Sequence, residues 1–137
     1  ALLLSGRNAA LPAATGAGSD TAGEDPLIEF KLDREKIEKE QIDMLKAVID
    51  DKDAGKEIRD AARAQYLGIV DAMGKESKIE GLLTARGYES VVFVSPDACT
   101  VVVRSKALDE KTVALIGDTA RKVTKLSLEK ITVIPAP

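Results

Sequence analysis

The chain has no histidine, no tryptophan and a single cysteine among its 137 residues. Without imidazole there can be no Ser-His or Cys-His dyad and no Cys/His zinc site. A lone Cys99 cannot form an internal disulfide, so thiol content says nothing about the redox compartment. Its strand phase with Val101 and Val103 reads as a small buried hydrophobe rather than a reactive thiol. Aromatics are scarce at 3%, confined to Phe30, Tyr66, Tyr88 and Phe93. The expected core is therefore small and built from Val, Ile, Leu and Ala. There is no positive excess either: 20 Lys+Arg stand against 23 Asp+Glu, for a net charge of -3. A grip on a polyphosphate backbone needs a basic face, so no nucleic-acid partner is expected. Long apolar runs are also missing, and Ala1-Leu2-Leu3-Leu4 is far too short to span a bilayer.

Ser5 to about Asp25 is rich in Ala, Gly, Ser and Thr with no apolar period. Such a stretch cannot bury enough surface to offset backbone ordering. Residues 1–26 therefore read as a flexible linker. Gly16-Ala17-Gly18 has neither a strand before it nor a helix after it, as a phosphate-binding loop requires. Residues 27–137 then form a helical appendage and a compact domain, whose central module covers about residues 78–134.

From Leu27 to Asp50, Phe30, Ile37, Met44 and Val48 recur at helical spacing, with Leu45 and Ile49 alongside. Pairs such as Lys39 and Asp43 suit an exposed, charge-laced helix, each adding about 0.3 kcal/mol. Asp50 to Gly55 breaks the pattern. As a calcium loop its carboxylates and glycine are misplaced, so it reads as a turn with Asp53 capping the next helix. Lys56 to Arg86 reads as helix, about 46 Å if unbroken. Gly74 lies between two apolar stripes, and a bend or break is expected there. The first half would pair with the preceding helix as a hairpin, and the second half would cover a sheet. Gly87 supplies the left-handed cap.

Beyond Gly87 the chain gives two Val-rich strands joined by Ser95-Pro96-Asp97-Ala98, a helix from Asp109 to about Lys125, and a strand from Ile131 to Ile134 cut off by Pro135. Alternation turns Val92, Val94, Cys99, Val101 and Val103 toward the helices. Val91, Phe93 and Val102 then lie on an open sheet face, beside Arg104. Ile131 and Val133 belong to a last strand at the sheet edge, able to pair with another chain. These six, Val91, Phe93, Val102, Arg104, Ile131 and Val133, are the candidate partner-binding residues. No catalytic, cofactor or metal residue is singled out.

The fold class is thus α+β: a helical hairpin followed by an α-β-β-α-β module, its three-stranded sheet covered by helices on one face. Lys78 to Ser105 resembles the stage III sporulation protein AH family. The likeness rests on Leu82-Leu83, Arg86-Gly87-Tyr88 and the Val-rich hairpin ending Val103-Arg104-Ser105, and extends from about Leu27 to Ile134. The resemblance implies a ring-building domain similar to the inner-membrane ring lipoproteins of type III secretion systems. It implies a single-pass protein of the outer forespore membrane, facing the intermembrane space, with residues 1–26 as the linker after a missing N-terminal membrane anchor. The implied partner is the stage II sporulation protein Q ectodomain, which is M23-peptidase-like, within a channel complex needed for engulfment and late forespore gene expression. A homo-oligomer or ring is implied too, and no enzyme.

Two other classes compete. A KH-like single-stranded RNA-binding module also mixes helices with a three-stranded sheet, but needs a GXXG loop between helices and a basic groove. Gly74-Lys75-Glu76-Ser77 departs from that loop. An enzyme using paired carboxylates has many acids to draw on, yet nothing in the pattern gathers them into a pocket.

Overall fold

The structure, a computed structural model, describes residues 3–4 and 25–137. The linker reading of residues 5–24, and Gly16-Ala17-Gly18 with it, lies outside the described residues. Leu3–Leu4 forms a two-residue strand, β1. Helix α1 spans Pro26–Ile49 and α2 spans Lys56–Ala85. Strands β2 (Ser90–Val94) and β3 (Cys99–Arg104), helix α3 (Glu110–Thr124) and strand β4 (Ile131–Ala136) complete the order.

Local chemistry explains most of the boundaries. The Asp25 carboxylate accepts the Leu27 N–H at 3.0 Å, and Pro26 opens α1 where its missing N–H is not needed. At the start of α2 the expected Asp53 cap does not form. Gly55 is the capping residue, and the Asp53 N–H instead donates to the Asp51 carboxylate at 2.9 Å. Helix α2 also passes Gly74 without a break. A glycine costs about 1 kcal/mol in a helix, too little to stop one whose Glu76 is tied to both α1 and the sheet. The helix ends as expected: Gly87 sits at φ 90, with Gly87 N–H bonded to Thr84 and Tyr88 N–H to Leu83.

The three main strands run β4-β3-β2, with β1 on the outer side of β4. The pair β2–β3 is an antiparallel hairpin in which Val92 faces Val101. The pair β3–β4 is parallel, Val101 opposite Val133, and α3 supplies the crossover such a pair needs. Strand β4 continues through Pro135 to Ala136, two residues past the expected stop.

The main core has the expected phase. Ile79 and Leu83 from α2, with Ile116 and Ala120 from α3, pack on Val92, Val101, Val103, Ile131 and Val133. At roughly 25 cal/mol per Å² of apolar surface, each of these Val, Ile and Leu side chains contributes about 1.5–3 kcal/mol. The α1 seam differs from the expected stripe. Ile37 and Met44 are exposed, whereas Leu27 and Arg34 are buried. Leu27 seats on the sheet and Arg34 bonds to it, so these two set the rotation of the helix.

Candidate partner-binding surface

The six candidate residues separate into two groups. Val91, Phe93, Val102 and Arg104 lie on the sheet face away from α2 and α3, but this face is not open. Val91 is 2% exposed and Val102 1%, packed in a second cluster with Leu27 and Ala136, with Phe30 and Phe93 against it. The first turn of α1 folds over them because its capping residue, Asp25, is ion-paired to Arg104. Arg104 also holds Glu89 at 2.8 Å. Leu27 and Phe30 are thus part of a sheet-covering end, where sequence periodicity alone reads an appendage. Ile131 and Val133 are fully buried in the main core, so only their backbone can meet a partner.

The sheet rims can be followed atom by atom. Arg104 N–H donates to Glu89 O, and Ser95 N–H to Ala98 O. Along an antiparallel pair the bonded residues alternate, so Val91 and Phe93 turn their backbone to β3. Ser90, Val92 and Val94 turn theirs outward. That rim is sealed by side chains. Glu80 accepts the Val92 N–H at 2.9 Å, Glu76 accepts the Val94 N–H at 2.9 Å, and Arg34 donates to Val92 O at 2.6 Å.

The sealing groups form one buried cluster. Arg34 meets Glu80 at 2.6 Å, Glu76 at 3.6 Å and Glu38 at 3.8 Å. Burial works against the Arg34 charge, but Glu80, Glu76 and Glu38 outweigh it and hold its pKa above the usual value. Burial, and then the neighbouring Glu38, push Glu76 up to about 8, against the Val94 N–H and Arg34, which pull it down. Glu76 is therefore mostly protonated at neutral pH and can share its proton with Glu38. Chemically the cluster is a brace between α1, α2 and β2. Sequence reasoning missed it, although Phe30, Arg34 and Glu38 fall at i, i+4 spacing.

The β4 rim is different. Ser105 N–H donates to Ala136 O, so Ala136, Ile134 and Thr132 turn their backbone to β3. Ile131, Val133 and Pro135 face outward. Pro135 has no N–H to offer, which suits an outer position. Here β1 pairs in parallel, Leu3 opposite Thr132 and Leu4 opposite Val133.

Elsewhere, the hairpin tip carries a groove of about 480 Å³ between Lys46, Ile49, Tyr66 and Leu67. Cys99 is buried, and burial together with Glu76 pushes its thiol up to about 12. Gly74-Lys75-Glu76-Ser77 lies inside α2, so it makes no loop between helices. Among the described residues no helix is long and apolar enough to cross a membrane. Among them, too, no group of acidic or thiol side chains is placed to hold a metal ion.

No curated protein matches the chain. A solved chain from the SpoIIQ-SpoIIIAH pore forming complex has the same fold, with a TM-score of 0.74 at 21% identity. The match covers 83% of this chain and 99% of that one. The SpoIIIAH-like protein family matches residues 5–133, nearly the whole length. The chain belongs to the SpoIIIAH-like protein family.

Proposed function

We propose that the chain is a non-enzymatic scaffold of a sporulation intermembrane channel complex. It binds the ectodomain of a SpoIIQ-type protein anchored in the opposite membrane, and assembles side by side into a ring. It sits in the outer forespore membrane through an N-terminal anchor, with the described domain facing the intermembrane space. The observation that carries this reading is family membership over residues 5–133. The fold shared with a chain of the pore-forming complex supports it.

The surface agrees with a binding role. Phe93 and Arg104 keep part of their side chains accessible, and the outward side of β4, with Ile131 and Val133, already accepts one added strand, β1. Strand pairing draws on main-chain hydrogen bonds and tolerates varied side chains, which suits a partner met across a gap. A flexible linker over residues 5–24 would give the domain reach from the membrane.

Size-exclusion chromatography with light scattering tests the proposal, using this chain and a purified SpoIIQ-type ectodomain. A one-to-one complex at tens of micromolar is expected, corresponding to about 6–7 kcal/mol of binding free energy. Separate elution at that concentration overturns it.

A further inference from the structure

The two rims of the sheet are treated in opposite ways. On β2, both outward groups of Val92 and the N–H of Val94 are taken by Arg34, Glu80 and Glu76. No further strand can add there without dismantling the brace. On β4, the outward groups of Ile131 and Val133 are met by a strand, β1, and, among the described residues, by no side-chain brace of that kind. Pro135, lacking an N–H, ends the run of donors on that rim.

We infer that the β4 rim is a seat for the Leu3–Leu4 segment of a second copy of this chain, exchanged between neighbours. The inference rests on the assembly reading above and supplies its contact. The hydrogen bonds are the same whichever copy provides the strand, so exchange loses nothing in the pairing itself. The 20 residues between Leu4 and Asp25 span up to about 70 Å, against about 30 Å for the diameter of a small domain. A two-residue pairing is weak alone, so local concentration decides which copy fills the seat. Copies held by one end on a common surface raise that concentration. Donor segment and acceptor rim are different parts of the molecule. Reciprocal exchange between two copies closes a dimer, whereas one-way donation is head-to-tail, and repeating it closes a ring or extends a row.

The test uses two single variants, Leu3→Cys and Thr132→Cys, which face each other in the β1–β4 register. Mixed one-to-one and oxidised, they can join only between copies, because neither chain carries both new thiols. Native Cys99 stays in place, being buried and weakly acidic. The control replaces Thr132→Cys with Lys39→Cys on the exposed side of α1. Circular dichroism of each variant against the parent verifies that it folds. At hundreds of micromolar, or with both variants tethered to vesicles by an N-terminal tag, at least fivefold more disulfide heterodimer than in the control is expected. Equal yields in both mixtures overturn the inference, as does bonding only within a chain carrying both substitutions. Complex formation with the SpoIIQ-type ectodomain is measured separately, so loss of strand exchange leaves that binding reading standing.

Discussion

The Glu80 carboxylate on α2 accepts the backbone N–H of Val92, an edge-strand donor, at 2.9 Å. An outward N–H on an edge strand ordinarily meets water and exchanges quickly. Here the Val92 and Val94 amides are expected to exchange slowly, at rates near those of the central strand β3. Glu80→Ala should raise exchange at Val92 by at least tenfold and leave Val94, held by Glu76, nearly unchanged. Amide-resolved hydrogen exchange reads both. Equal acceleration at the two sites would mean that the rim opens as a unit.

Arg34 is the cation of its cluster, facing Glu38, Glu76 and Glu80. Removing one member of a buried ionic network leaves the others uncompensated, which typically costs about 3–5 kcal/mol. Arg34→Met should therefore lower the urea midpoint strongly. The triple variant Arg34→Met, Glu76→Gln, Glu80→Gln should recover part of the loss, because Glu38 is then the one carboxylate of the cluster left without its cation.

Protonation of Glu76 gives stability an acidic bias. Its folded-state pKa of about 8 lies above the ordinary value of 4.5, so the folded chain binds this proton more tightly than the unfolded one. That contribution is complete below about pH 4.5 and is lost as pH rises through 8. Urea unfolding at pH 5, 7 and 9 should show stability falling by about 2–4 kcal/mol across the window. Glu76→Gln keeps an acceptor for the Val94 N–H and a donor for Glu38, and should flatten the slope. An unchanged slope in that variant would place the dependence elsewhere.

A methyl group added at Gly87 would meet open space, yet the backbone φ there is +90. Gly87→Ala should thus cost about 1–2 kcal/mol from backbone strain alone, with no change in denaturant m-value. Gly74 gives the contrast: in mid-helix with equal open space, Gly74→Ala should stabilise by about 1 kcal/mol. Parallel urea titrations of the two variants check both signs.

Much of this architecture was legible from local patterns. Strand alternation put Val92, Val101 and Val103 in the core, and Gly87 and Asp109 marked helix boundaries correctly. Those signals act within a few residues, where sequence spacing equals spatial spacing. What escaped depended on distant partners. Whether Val91 and Val102 are open is decided by Leu27, more than sixty residues away, and by the tie from Asp25 to Arg104. Arg34 reads as one more solvated charge until Val92 and Glu80 are beside it. Strand order was likewise unreadable, because β4 satisfies the same alternation whether it lies beside β2 or beside β3.

Since α2 runs for 30 residues without interruption, about 45 Å, one rod belongs to both the hairpin and the sheet. A load applied at Tyr66 or Leu67 is therefore carried without a joint to Glu76, Ile79 and Leu83. The far end of the hairpin works as a handle on the packed interior, and pulling there strains the β2 margin before it strains β4.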